Sequence, residues 1–327
     1  MHMLTDAHNR TINYIRIAVT DRCNLRCNYC MPENMHFMKR AALLTFEEIV
    51  RLMQLLSTAG INKIRITGGE PFLRQDLLQL LYKLSALPGI ENIAITTNGV
   101  LTQSFIPQLQ DMGIRHINLS LDTLQEKKFE RITHRNEFIT VMQTLESLVK
   151  HNMQVKINTV VMQQVNTDEL LDFAALTQQY PVAVRFIEEM PFNGQGNSFS
   201  GIIWNYEKIL DTLRTKYTLH KIPDPPYATA LNYHIPGHLG SIGVIPAFSR
   251  TFCGTCNRIR VTPTGGLKTC LYGQDALNVR DLMRQGMNDA DLLLQIQTAI
   301  HQRFANGFEA AAHNHHSKME SMSVIGG

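Results

Sequence analysis

The sequence predicts an α/β fold built on a parallel sheet, and three observations predict it. Six short apolar, β-branched runs recur at residues 14–20, 64–67, 92–97, 116–122, 154–161 and 183–188. Helix-like amphipathic stretches alternate with them, at 45–59, 75–86, 103–112, 138–151 and 167–178. The connections are short, and strand and helix repeating in this way form parallel strands covered by helices on one or both faces.

The rhythm breaks after Met190. Residues 223–246 carry much of the proline and glycine and read as loop and short strands, 289–308 read as one helix, and the chain ends in Ser-Val-Ile-Gly-Gly. This divides the chain into a first domain at 1–220 and an extension at 221–327 packed on it. With 327 residues, 44% hydrophobic and 18% charged, the chain can bury one large core or two ordinary ones. A net charge of +3 is too mild for a nucleic-acid binder, which concentrates its basic residues in a stripe. No apolar run reaches about 18 residues. The N-terminus, with Asp6, His8, Asn9 and Arg10, lacks a signal-peptide apolar region. The expectation is a cytoplasmic protein with neither membrane nor nucleic acid as partner.

All six cysteines fall in two groups of three, Cys23, Cys27 and Cys30, then Cys253, Cys256 and Cys270. Tight local spacing in a reducing compartment favours metal ligation over disulfides. The first group directly follows the first strand, placing three thiols on one loop at the C-terminal end of a parallel strand, where α/β sites collect. Structural zinc takes four protein ligands, as does a closed iron-sulfur cluster. Three cysteines therefore leave one metal position for a small molecule, unless a distant histidine completes a zinc site.

Cys23-x3-Cys27-x2-Cys30 resembles the signature of the radical S-adenosylmethionine superfamily, with Tyr29 as the aromatic residue between ligands. Gly68-Gly69-Glu70-Pro71 after the second run, Thr96-Thr97-Asn98-Gly99 after the third, Ser120-Leu121-Asp122 after the fourth and Met190 after the sixth agree with it. The resemblance implies a [4Fe-4S] cluster whose open iron binds S-adenosyl-L-methionine. It also implies that Gly68, Gly69 and Glu70 hold the methionine amino end while Thr96, Ser120 and Met190 line the rest. Glycines let backbone approach a ligand, and a carboxylate suits an ammonium group.

Strand alternation puts Lys63 and Arg65 on one face and Ile64 and Ile66 on the other. The same parity sets Arg16, Lys156, Arg185, Asn118 and Ser120 opposite apolar neighbours. Cations on such a face point into the interior, where an unpaired charge costs several kcal/mol. Glu188, Glu189 or Asp122 could neutralise any one of them singly. For all five together, an anionic ligand rich in oxygen, a polyphosphate, fits better.

The second group again has three cysteines and no fourth. Phe252-Cys253-Gly254-Thr255-Cys256-Asn257-Arg258-Ile259-Arg260, with the terminal Gly326-Gly327, resembles the C-terminal motif of the GTP 3',8-cyclase family of molybdenum cofactor biosynthesis (MoaA), over essentially the whole chain. The resemblance implies an incomplete (β/α)6 TIM-like barrel whose C-terminal extension carries a second [4Fe-4S] cluster and closes the cavity. It implies that Arg16, Lys63, Arg65, Lys156 and Arg185 hold the triphosphate of GTP, and that Arg258 and Arg260 sit beside substrate. It further implies that the Gly326-Gly327 tail enters the site and orders it for catalysis. A lyase forming cyclic dihydro-GTP would need an external one-electron donor and a downstream pterin precursor synthase, and is compatible with a homodimer. A radical enzyme acting on peptides and a non-catalytic zinc protein are the rival readings. The histidine-rich segment 313–318 is assigned no role.

Overall fold

A computed structural model describes residues 3–31, 35–192, 202–314 and 320–326. The strands are β1 (Tyr14–Ala18), β2 (Lys63–Thr67), β3 (Asn92–Thr97), β4 (His116–Ser120), β5 (Gln154–Val161) and β6 (Ala183–Glu188). The extension adds β7 (His220–Lys221), β8 (Leu231–His234), β9 (Ser241–Ile245), β10 (Arg258–Val261), β11 (Gly266–Lys268) and β12 (Leu277–Asn278). They form one sheet in the order β12-β11-β10-β1-β2-β3-β4-β5-β6-β9-β8-β7. From β10 through β1–β6 to β9 all neighbours are parallel. The six strands read in the sequence are thus the middle of an eight-strand parallel arc. The extension supplies one parallel strand to each edge, β10 beside β1 and β9 beside β6, and antiparallel strands beyond them. This is the parallel α/β sheet that the alternation predicted, and its parallel arc is consistent with the partial barrel that the family resemblance implied.

The outer face is the core. Ile15, Ile17, Ile64, Ile66, Ile95, Ile117, Leu119, Ile157, Val184 and Val244 are all buried in one hydrophobic cluster with the helices. The helix Phe46–Thr58 shows how local sequence sets an element. Thr45 accepts from the Glu48 amide at 3.2 Å while the Glu48 carboxylate accepts from the Thr45 amide at 2.7 Å, a reciprocal cap that fixes the helix start. Ile49, Leu52, Met53 and Leu56, three and four apart, then bury one face.

Three helical readings need correction. The 289–308 stretch is not one helix. It stops at His301, and Asn306 accepts from the Phe308 and Glu309 amides to start a second helix, Gly307–Ala312. The 103–112 stretch is a 3-10 turn, Thr102–Phe105, followed by the helix Ile106–Asp111, because Pro107 occupies the first turn and can donate no amide to a continuous ladder. The helix Glu126–Thr133 went unread because it is strongly polar and buries little beyond Phe129, Ile132 and Thr133. Among the described residues no helix is long and apolar enough to cross a membrane.

Candidate active site

The inner face of the arc lines a cavity of about 460 Å³, within the usual size of small-molecule sites. Strand register places its charges in rows. Arg260, Arg16 and Arg65 are partners across β10, β1 and β2, and Arg258, Tyr14 and Lys63 form the row beneath them. Lys156 lies beside Asn118, and Arg185 beside Asn158. Arg16, Lys63, Arg65, Lys156, Arg185, Arg258 and Arg260 all line the cavity. Among the described residues none of these pairs with a carboxylate. Of the acids that could neutralise them, Glu189 does not line the cavity and the other two are committed elsewhere. Glu188 accepts from Tyr206 N, Ser249 N and Ser249 Oγ, each at 2.7 Å, and Asp122 accepts from Tyr29 Oη at 2.7 Å and Val160 N at 2.8 Å.

The interior field is strong. Burial and the neighbouring Arg185, Arg65 and Lys63 charges push Lys156 down to about 8. Burial raises the Tyr14 phenol, but Arg65, Arg16, Lys63 and Arg258 outweigh it and bring the group down to about 7. Nε of Arg16, Arg65 and Arg185 and the Tyr14 hydroxyl are buried without a hydrogen-bond partner, so the residues present fit an anion with several oxygen acceptors.

At the C-terminal end of the strands, the loop after β1 carries Cys23, Cys27 and Cys30. The amides of Cys30 and Met31 both donate to Cys27 O at 3.0 Å, and Arg26 and Asn28 amides tie the loop to Thr133 and Ile132. Gly68 and Gly69 lie under it. A Cβ on Gly68 would come 2.4 Å from Thr20 O, and one on Gly69 2.3 Å from Arg22 O. Both glycines, with Tyr29, Cys30, Thr96, Ser120 and Met190, line this end of the cavity. Glu70 does not. Its fully buried carboxylate accepts from Phe72 N at 3.1 Å, Asn98 N at 2.8 Å and Thr97 Oγ1 at 2.9 Å, stapling the ends of β2 and β3.

The second cysteine group sits at the opposite end. Cys256 immediately precedes the β10 row and Cys270 follows antiparallel β11, which places them at the N-terminal edge of the parallel strands. One five-residue strand, roughly 15 Å, separates the two ends. Cys253, Cys256 and Cys270 all line the cavity. Arg258 Nη2 donates to Cys256 Sγ at 3.3 Å. Burial raises this thiol, and Arg258 and Arg303 more than offset it, bringing it down to about 6. Burial pushes Cys23 up to about 11 and Cys30 to about 12, so a thiolate trio there needs a cationic metal to hold it. All six cysteines are free. Among the described residues no three donors converge on a single ion, and a multi-iron cluster spreads its thiolates over several metal atoms.

Gly326, with φ 77°, presses into the inner face, where a Cβ would meet Thr67 Oγ1 at 2.4 Å, and its carbonyl accepts from Arg260 Nη1. Gly327 lies outside the described residues.

Residues 17–177 match the Radical SAM superfamily model and 182–308 the Molybdenum Cofactor Synthesis C model. The chain is 38% identical to the GTP 3',8-cyclase of Clostridium perfringens, over 92% of this chain and 93% of that protein. The chain belongs to the GTP 3',8-cyclase family. It is 40% identical to the mitochondrial GTP 3',8-cyclase of Arabidopsis thaliana, over 93% of this chain and 78% of the relative. To molybdenum cofactor biosynthesis protein 1 of Homo sapiens it is 45% identical over 91% of this chain, and it spans 47%, about half, of that protein's length. The fold resembles that of Streptococcus suis SuiB bound to a precursor peptide, with a TM-score of 0.60 at 15% identity, covering 89% of this chain and 68% of that one.

Two [4Fe-4S] clusters and S-adenosylmethionine are cofactors of the GTP 3',8-cyclase family, and the two cysteine ends fit them. Sequence reading missed several residues of this family site. Tyr14 and Asn158 carry a legible signal, the inward parity they share with Arg16 and Lys156. Arg10, Arg303 and Lys268 also line the cavity and carry none, because only packing brings them there.

Proposed function

We propose that the chain is a radical S-adenosylmethionine lyase that converts GTP to (8S)-3',8-cyclo-7,8-dihydroguanosine 5'-triphosphate, the first step of molybdenum cofactor biosynthesis. One observation carries this reading: unpaired cations line a cavity that has a three-cysteine group at each end. Cys23, Cys27 and Cys30 hold the first cluster, and Cys253, Cys256 and Cys270 the second. When bound, the first cluster and S-adenosylmethionine supply one-electron cleavage to a 5'-deoxyadenosyl radical, which takes hydrogen from the ribose.

The protein's own residues bind and orient. Arg16, Lys63, Arg65, Lys156 and Arg185 hold the triphosphate, and an arginine fork on phosphate fixes direction as well as affinity. Tyr29, Gly68, Gly69, Thr96, Ser120 and Met190 enclose S-adenosylmethionine, the glycines letting it approach the backbone. Arg258 and Arg260 face the base, and Gly326, whose carbonyl accepts from Arg260, sets the end of the chain to order the site around the reacting ribose and keep water from it. Residues 1–220 act as the radical barrel and 221–327 as the cluster-binding extension. An external donor would supply two electrons per turnover, one for cleavage of S-adenosylmethionine and one that, with a proton, completes the dihydro product, and a pterin precursor synthase consumes that product. Six free thiols suit a reducing cytoplasm.

Anaerobic reconstitution with iron and sulfide, then incubation with GTP, S-adenosylmethionine and a reductant, tests the reading. It expects 5'-deoxyadenosine together with a cyclic dihydro-GTP. Cleavage of S-adenosylmethionine with GTP recovered intact would overturn the substrate, and failure to load iron would overturn the chemistry.

A further inference from the structure

Asp6, His8 and Arg10 read in the sequence as a polar N-terminus, yet the fold sets them against the second cysteine group. Thr5 and Thr11 form an antiparallel bridge, and buried Leu4 and Ile12 anchor this hairpin in the core. Its tip docks on the chain leaving the helix Asp289–His301: Ala7 N donates to His301 O at 3.3 Å and His8 Nε2 lies 3.1 Å from Arg303 O.

A buried charge cluster results. Asp6 Oδ2 pairs with Arg10 Nε at 2.6 Å and lies 3.8 Å from Arg303 Nη1, while Asp6 Oδ1 accepts from the His8 and Arg10 amides. Arg10 donates onward to Cys253 O at 3.0 Å, Phe304 O at 2.6 Å and Ala305 O at 2.5 Å. Arg303 grips Cys256 twice, through Nη1 to its carbonyl and Nη2 to its Sγ, both at 2.9 Å. Asp6, Arg303 and Arg10 are only 3%, 5% and 6% exposed. Two guanidiniums against one carboxylate leave one positive charge in this cluster, Arg258 Nη2 brings another to the same sulfur at 3.3 Å, and a buried charge requires a partner. The Cys256 sulfur, as thiolate, is the group in hydrogen-bond contact that supplies it. At the other end of the cavity, Cys23 Sγ receives a neutral amide, Asn98 Nδ2 at 3.5 Å.

We infer that Arg303, held by Asp6 and Arg10, is a positioning residue that orients Cys256 and raises the reduction potential of the second cluster. The inference rests on the two-cluster reading above. One-electron reduction makes a cluster more negative by one charge, so a buried guanidinium hydrogen-bonded to a ligand sulfur favours the reduced form, and a nearby carboxylate opposes it. The two residues must then act with opposite sign.

The test uses the full-length Cys23→Ala/Cys27→Ala/Cys30→Ala protein, whose iron reports the second group alone. It is reconstituted anaerobically, assayed for iron and titrated against redox mediators with detection by electron paramagnetic resonance. Into it are placed Arg303→Gln, Arg303→Lys and Asp6→Asn. Arg303→Gln is expected to shift the reduction equilibrium about tenfold toward the oxidised form, about 59 mV more negative for one electron. Arg303→Lys, which keeps the charge, should shift less, and Asp6→Asn should shift the opposite way. If Arg303→Gln does not load iron, the opposed signs of the other two carry the test. Shifts of one sign in all variants, no shift, or loss of iron from all three would overturn the inference and leave a scaffold. A parent protein that binds no iron would overturn the two-cluster reading instead.

Discussion

Tyr14 is a residue whose chemistry is set by its neighbours. Its ring has Lys63 Nζ at 5.0 Å, Arg65 at 5.6 Å and Arg16 at 5.8 Å, and burial alone would raise its phenol. Four cations reverse that and bring it from 10.0 to about 7. An acid whose folded-state value is depressed binds fewer protons folded than unfolded between those limits. Its contribution to stability is therefore full above about pH 10 and is lost as pH falls through about 7. We predict that the thermal stability of the unliganded protein, relative to Tyr14→Phe, rises with pH across that window. Equal pH dependence for the two proteins would refute it. GTP, by cancelling the cations, should raise the phenol again, so binding near pH 8 takes up a proton, which calorimetry in buffers of different ionisation enthalpy reads. Arg65→Ala and Arg185→Ala should each weaken GTP binding by about 1.5–3 kcal/mol, the worth of a charged hydrogen bond, and weaken S-adenosylmethionine binding far less. Equal affinity for GTP and guanosine would remove the phosphate role.

At the scale of elements, the loop after β1 and the turn after β2 are built around each other. Gly69 N donates to Thr20 O and Glu70 N to Arg22 O, both at 2.8 Å, and no side chain fits at Gly68 or Gly69 under those carbonyls. Gly69→Ala is predicted to displace the cysteine loop while leaving the sheet and its helices intact. Iron bound at the first group should fall in a Cys256→Ala background, with far-ultraviolet circular dichroism unchanged. Full iron loading in that variant would show that the loop yields without cost. The Gly-Gly pair was legible in the sequence as a place where backbone approaches something. That the something includes the cysteine loop itself was not, because such packing joins segments roughly 50 residues apart, and loop proximity has no period to read.

For the whole molecule, two cysteine groups share one cavity, and Gly326 bonds Arg260 in its wall. Cys27→Ala should abolish S-adenosylmethionine cleavage, whereas Cys256→Ala should spare the first cluster and lose the second, as iron content and visible absorption report. Deleting Gly326 and Gly327 should leave both clusters and the spectrum unchanged while GTP cyclisation collapses, since Gly326 contacts Arg260 and Thr67 and touches neither cysteine group. A truncated protein cyclising GTP at the full-length rate would make the tail an ordinary terminus.

The sequence by itself determined the central six strands, the face on which each cation lies and the two groups of cysteines, because alternation and short-range spacing are written along the chain. Helix ends were less legible: Pro107 and Asn306 reset two stretches that apolar periodicity had joined. The tertiary structure alone decided that β9 and β10 extend the arc at both edges and that the Glu70 carboxylate staples the ends of β2 and β3. It alone brought Asp6, Arg10 and Arg303 together on Cys256. Those outcomes depend on which distant segments can satisfy each other's buried polar groups and charges, and that accounting closes only when the whole chain is packed.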